Sequence, residues 1–202
     1  MTWGPMIDAI AKKARIRIGA LYRMRSMLDS GNLKLMYIAF IRSILEYGSV
    51  QFMGAASCHL EKLDRIQRSA ERIGNFKLES LQSRRQASLM SLTFKLLDGA
   101  CREPLQVLAP QLTSAPSHSR NTRRAASHTG IQIKTRITAS SLDCFKRSAM
   151  GVLPELWRSI PQELILKGAN TGWRRINKLT KKFIINLDQI DIDTETHKSL
   201  YL

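Results

Sequence analysis

The sequence predicts a mainly α-helical protein, a bundle of about four helices followed by a small mixed α/β region. Apolar residues recur at spacings of three and four in four successive segments of the N-terminal half. Breaks containing glycine or asparagine separate these segments, and an alternating apolar/polar stretch appears only later, at Ile131–Thr135. With 202 residues, 44% of them hydrophobic, the chain is long and apolar enough to bury a core.

Each N-terminal helix is predicted from an apolar stripe and a stop signal. The predicted spans are about 6–28, 33–47, 58–73 and 78–98. The breaks between them are Ser30-Gly31-Asn32, Gly48 and Gly74-Asn75. The second span has the most regular stripe. The residues predicted to be buried are Tyr37, Phe40, Ile44, Leu63 and Ile66.

The chain is predicted to have four regions. They are a helical region at 1–109, ending in a short helix at 103–109, a basic loop or linker at 110–130, a mixed α/β region at 131–185 and an acidic, frayed tail at 186–202. In the third region, a strand at 131–135 pairs with a second strand near 142–148. A helix at 153–166, interrupted at Pro161, precedes a last basic helix at 171–185. That helix is predicted to place Trp173, Ile176, Leu179 and Phe183 on one face.

No catalytic or metal site is predicted, and no cofactor is expected. Cys58-His59 is the only close Cys/His pair, whereas zinc requires four ligands with tight local spacing. The only acidic cluster, Asp188, Asp191 and Asp193, belongs to the polar tail, where carboxylates are not held rigidly enough for metal catalysis. An odd set of three widely spaced cysteines favours a reducing, intracellular compartment, nuclear or cytoplasmic. No membrane-spanning segment is predicted.

The charge of the chain points to anionic partners. There are 32 basic and 16 acidic residues, a net charge of +16, and residues 99–182 alone carry 15 basic against 4 acidic side chains. Such a field attracts phosphate polymers. The predicted nucleic-acid-binding residues are Arg65, Arg68, Arg72, Arg120, Arg123, Arg124, Arg174, Arg175, Lys178, Lys181 and Lys182. The alternative is that these cations form solvated helix faces without a nucleic-acid role.

Two predicted helices carry a more specific signal. Leu35–Ser49 contains Leu45-Glu46-Tyr47-Gly48, and Leu60–Ala70 follows with Gln67. These stretches resemble a region downstream of the catalytic palm in non-LTR (LINE-type) retrotransposon reverse transcriptases. There the pattern is a hydrophobic helix ending in Leu-Glu-Tyr-Gly, then a Leu-Glu-x-x-Gln-x-x-Ala helix.

Shorter matches extend the resemblance to roughly residues 3–183. In order along the chain they are Ile7 with Lys13-Ala14-Arg15, Arg84-Arg85, Phe94–Gly99, Thr122-Arg123, Phe145–Ser148, Leu156-Trp157 and Ile160-Pro161. Departures are Gln51-Phe52, where a tryptophan often follows Tyr-Gly, and Arg158 in place of the usual asparagine. The catalytic Tyr/Phe-Ala-Asp-Asp motif of the family does not occur in these 202 residues.

The resemblance implies the thumb and post-thumb region of an RNA-directed DNA polymerase without its catalytic palm. Such a fragment or relic is expected to be no enzyme on its own, because it lacks the catalytic carboxylates. Its implied partners are RNA, DNA or an RNA–DNA hybrid, bound through the phosphate backbone, and the missing palm. The alternative function is a helical structural or interaction module with acidic or protein partners and no nucleic-acid role.

Overall fold

The computed structural model of the chain confirms the mainly helical class. It describes residues 3–99, 101, 110–114, 131–134, 146–173 and 175–186. The chain divides into two compact units, Met1–Arg85 and Gln86–Leu202. The regional boundaries predicted from composition, at 109/110, 130/131 and 185/186, adjoin segments outside the described residues and stay predictions. The predicted helix at 103–109 and nearly all of the predicted tail lie outside them as well.

All four predicted N-terminal helices are present, with shifted ends. We number the elements in chain order: α1 Gly4–Met24; α2, which runs through Ser30–Met36, Tyr37–Arg42 and Ser43–Leu45; α3 Ser57–Gly74; α4 Leu81–Leu97; β1 Gln111–Ser114; β2 Ile131–Lys134; α5 Ala149–Ser159; α6 Gln162–Thr171; and α7, at 175–186. The predicted break at Ser30-Gly31-Asn32 is wrong, since these residues form the first turn of α2. The side chain of Asp29 accepts hydrogen bonds from Gly31 N and Asn32 N, and this N-cap starts the helix early.

The core of the first unit lies mainly where α1 packs against α3. Ile7 and Ala14 on α1 and Leu63 and Ala70 on α3 are fully buried. The predicted apolar stripes of both helices are thus buried, and they face each other. Burial of Tyr37, Leu63 and Ile66 is likewise confirmed.

The burial predicted for Phe40 is wrong, because the middle of α2 is not an α-helix. Tyr37–Arg42 forms a π-helical stretch, whose i→i+5 hydrogen bonds place more residues in each turn. Residues four positions apart then lie on the same side of the helix, and the buried residues are Leu33, Tyr37, Ile41 and Leu45. Phe40 is rotated outward and is 54% exposed, and Ile44 is only half-buried.

A polar network ties α2 to α3 and to the start of α4. The hydroxyl of Tyr37 donates to Gln67 Oε1 at 3.2 Å, and Gln67 Nε2 donates to the carbonyl oxygen of Glu79 at 2.8 Å. Burial raises the pKa of Tyr37 above its usual range. Arg84 forms a two-pronged ion pair with Glu46 and also contacts Glu79 at 2.6 Å. The Glu and Gln of the two quoted motifs thus have structural roles within the first unit.

The second unit contains a two-stranded antiparallel sheet in which β1 pairs with β2. Gln111 lies opposite Lys134, and Ser114 lies opposite Ile131. The strand predicted at 131–135 is confirmed over Ile131–Lys134. Of the second strand predicted near 142–148, Lys146 and Arg147 are helical, and residues 142–145 lie outside the described residues. The partner of β2 among the described residues is a segment predicted to be loop. Only Leu112 is apolar in that segment, so its strand conformation depends on tertiary pairing rather than on local pattern.

Three helices follow the sheet, and aromatic packing organises them. The helix predicted to be interrupted at Pro161 is confirmed as α5 and α6. Trp157 of α5 is buried and donates from Nε1 to the carbonyl oxygen of Ile131 at 2.9 Å. The ring of Phe94 stacks on the ring of Trp173 with ring centroids 5.5 Å apart. The ring centroids of Trp157 and Trp173 are 5.6 Å apart. These three rings form the centre of the apolar packing around the start of α7.

Candidate nucleic-acid interface

The predicted cations on α3 are partly neutralised within the fold. Arg65 and Arg68 both pair with Glu61, at 3.1 and 3.8 Å. Arg72 is exposed and donates from Nε to the carbonyl oxygen of Arg68 at 3.4 Å. Glu61 and Arg65 lie four residues apart on α3, whereas Asp64 of the same helix pairs with Arg85 of α4, at 3.9 Å. Two of the three predicted α3 cations therefore already have an acidic partner.

The predicted cations on α7 are arranged differently. Arg175, Lys178, Lys181 and Lys182 are all exposed, and within the described ranges none of them forms an ion pair. Arg175, Lys178 and Lys182 follow one another at spacings of three and four, so they share the outer face of the helix. Four cations on 12 residues without an acidic neighbour on the helix form a local concentration of positive charge.

The inner face of α7 is fixed by contacts with the rest of the second unit. Asp98 Oδ1 accepts a hydrogen bond from Trp173 N at 3.0 Å, which places a carboxylate at the positive N-terminal end of the helix. Asn177 Nδ2 donates to Ser91 Oγ at 3.0 Å, and Thr180 is fully buried. A Cβ added at Gly168 would lie 2.5 Å from the ring of Trp173, so glycine is required for this close approach. The exposed cations thus extend from a well-anchored helix.

Two details of the predicted α7 face are wrong. Leu179 is 56% exposed and Phe183 only half-buried, because the buried positions are Ile176, Thr180 and Ile184, which follow at intervals of four. Trp173 is 6% exposed and stacked on Phe94. Its ring therefore belongs to the core. At this end of the candidate interface the cations are exposed, but the Trp173 ring is not available to stack on a nucleobase.

Four predicted site residues, Arg120, Arg123, Arg124 and Arg174, lie outside the described residues. In contrast, the structure adds a group that was not among the predicted sites, the exposed cations of α1: Lys12, Lys13, Arg15, Arg17 and Arg23. The one acidic residue of that helix, Asp8, pairs with Lys62 at 2.6 Å, and this hydrogen bond lowers the pKa of Asp8. The signal was in the sequence, since residues 9–45 hold 8 basic side chains and one acidic side chain.

Among the described residues, no group of three or more His, Cys, Asp or Glu side chains is arranged to hold a metal ion. None of the described helices has the length and apolar character needed to cross a bilayer. The arrangement on α7 can attract and hold polyanions, since ammonium and guanidinium groups bind phosphate oxygens.

Comparison with known proteins adds no assignment: no family model, no curated protein and no solved structure matches this chain.

Proposed function

We propose that this chain is a non-catalytic fragment or relic of a non-LTR retrotransposon reverse transcriptase that binds the backbone of nucleic acids. The family origin rests on the order of short motifs, above all Leu45-Glu46-Tyr47-Gly48 followed by Gln67. The observation that supports nucleic-acid binding is the group of exposed cations on α7, which have no ion-pair partner among the described residues. Its contacts would be to phosphates, which position a duplex without reading base sequence.

The test is the salt dependence of binding to a fluorescently labelled RNA–DNA hybrid, followed by anisotropy. For a duplex in which Z phosphates are neutralised, log K falls against log salt with a slope of about −0.9Z. Replacing Arg175 and Lys182 by alanine is expected to reduce the magnitude of this slope by about two and to leave folding intact. Hybrids of different sequence are expected to bind with similar affinity.

The matched control is the Arg65→Ala/Arg68→Ala double variant, which removes the same formal charge from α3. Because both arginines are paired with Glu61, their replacement is expected to change the slope less. Equal effects of the two variants would mean that net charge alone drives binding and would reject α7 as the interface. Failure of the folded chain to bind at low salt would reject the nucleic-acid function altogether.

The second candidate function is an interaction module with acidic or protein partners. The observation that favours it is the exposed aromatic ring of Phe40 beside an apolar groove in the first unit. A large exposed apolar side chain at a concave surface is typical of protein-binding sites.

A further inference from the structure

An apolar groove of about 280 Å³ lies between α1 and α2. Its apolar lining consists of Ala20, Leu21 and Met24 from α1 and Met36, Phe40 and Ile41 from α2. Leu21 and Ile41 are also buried core residues, so the floor of the groove is the outer layer of the core. The methionine side chains can adapt to different apolar occupants.

The π-helical stretch of α2 contributes Phe40 and Ile41 to this groove. It turns Phe40 out of the core and places the ring beside the opening. Arg17, the one polar residue of the lining, donates from Nη1 to the carbonyl oxygen of Phe40 and so links the two walls. The concave apolar surface is therefore part of the backbone architecture of the first unit.

The two helices that form the walls of the groove carry a strong excess of positive charge. Residues 9–45, which contain both of its walls, have a net charge of +7. The single acidic side chain, Asp29, caps the N-terminus of α2. On α1, Lys13 lies one turn before Arg17 and Arg23 lies one turn after Ala20, and both are exposed. An occupant that combines apolar anchors with acidic flanks is therefore complementary to this surface.

We propose that this groove binds an acidic amphipathic helix of a protein partner. The apolar face of such a helix supplies anchors at i, i+3, i+4 and i+7, and its acidic flanks meet the cations of α1. A nucleobase fits less well, because its polar edge would lie against apolar side chains without hydrogen-bond partners. A second copy of the chain would bring another cationic surface to this one. The inference deepens the interaction-module function and is independent of α7, which contributes no lining residue.

The probe is a fluorescein-labelled peptide of about 16 residues with leucines at helical spacing on one face and glutamates on the other. Its control is a peptide of the same composition with the leucines distributed around the helix. The full-length chain is expected to bind the first peptide and to bind the second far more weakly. Phe40→Asp is expected to weaken binding about tenfold or more, as loss of a central aromatic anchor does.

The matched control variant is Leu35→Asp, because Leu35 is also on α2 and is 63% exposed but does not line the groove. It is expected to bind the peptide like the wild type, and circular dichroism checks that both variants fold. Lys13→Glu/Arg23→Glu is expected to weaken binding and to reduce its salt dependence.

Four results of the peptide and self-association assays would each overturn the proposal. These are equal binding of the two peptides, no effect of Phe40→Asp, no peptide binding at low salt, and loss of self-association in Phe40→Asp, which would make a second copy the occupant. Phe40-dependent binding to phosphatidylserine vesicles or to the RNA–DNA hybrid, without peptide binding, would equally overturn it. Because the hybrid assay depends on Arg175 and Lys182, failure here leaves the nucleic-acid proposal standing.

Discussion

Helices α3 and α7 are both basic, yet their cations have different surroundings. On α3, Arg65 and Arg68 share Glu61 as an ion-pair partner, so part of their charge is neutralised locally. The α7 sequence contains no acidic residue, and Arg175 and Lys182 project into solvent from a helix whose other face is buried. Equal numbers of cations in a sequence therefore do not make equal binding surfaces, because neighbouring carboxylates decide how much charge remains available.

The adjacent arginines of α4 in the first unit extend this comparison. The hydrogen bond with Glu46 raises the pKa of Arg84, which means that the ion pair stabilises the charged form. Burial lowers the pKa of Arg85, because desolvation exceeds the attraction of Asp64. Both arginines thus interact within the fold of the first unit. The ion pair of Arg84 is favourable, whereas the burial of the charged Arg85 side chain costs free energy.

The largest expected effect concerns Trp173, which anchors the N-terminal end of α7. Trp173→Ala is expected to lower the free energy of unfolding by about 3–5 kcal/mol, because it removes a buried ring stacked on Phe94. Leu179→Ala, on the exposed side of the same helix, is expected to cost about 0.5 kcal/mol. Urea denaturation measures both. If Trp173→Ala weakened hybrid binding without loss of stability, Trp173 would be a base-stacking residue and the anchor interpretation would be wrong.

An intermediate effect is expected at the two carboxylates that face α4. Glu46→Gln is expected to destabilise the protein by about 1.5–3 kcal/mol, since it removes the charged acceptor of Arg84. Asp64→Asn is the matched variant, and burial raises the pKa of Asp64 above 3.8. Its charged form is therefore disfavoured in the folded state, and Asp64→Asn is expected to cost less stability than Glu46→Gln at pH 7, although it leaves the buried Arg85 without its anionic partner.

The pH dependence of stability checks the direction of the pKa shift of Asp64. The folded wild type binds a proton at this carboxyl at higher pH than the unfolded chain does. The wild type should therefore gain stability relative to Asp64→Asn as pH falls from the raised native pKa to below 3.8. Denaturation at a series of pH values measures this difference, and a relative loss of wild-type stability on acidification would contradict the argument.

The smallest effect on stability is expected from removing the carboxylate of Glu61, which pairs with two cations of α3. Glu61→Gln removes two exposed ion pairs, each worth about 0.2–1 kcal/mol at most. If neutralisation by Glu61 is what makes α3 a weaker binding surface than α7, this variant should bind the RNA–DNA hybrid with a steeper salt dependence. The magnitude of the slope of log K against log salt should rise by up to about two. Thermal denaturation and anisotropy measure the two quantities. An unchanged slope would show that α3 does not face the nucleic acid even with its charges released.

Periodicity could predict which helices form but not the register of α2. The stripe beginning at Leu33 assumed a uniform α-helix, and the π-helical stretch replaced its three-and-four spacing with a spacing of four. A local widening of the helix depends on packing against other elements, which a single stretch of sequence does not contain. The same limit applies to β1, whose partner strand begins 17 residues after β1 ends.

The sequence by itself determined the mainly helical class, the four N-terminal helices and the excess of positive charge, because local periodicity and residue counts decide these properties. It also contained the candidate cations of α7. Tertiary structure alone decided that Arg65 and Arg68 share one carboxylate, that Trp173 is core, and that Phe40 borders a groove. Whether a charge is neutralised or an aromatic ring is exposed depends on neighbours distant in sequence, and only folding brings those neighbours together.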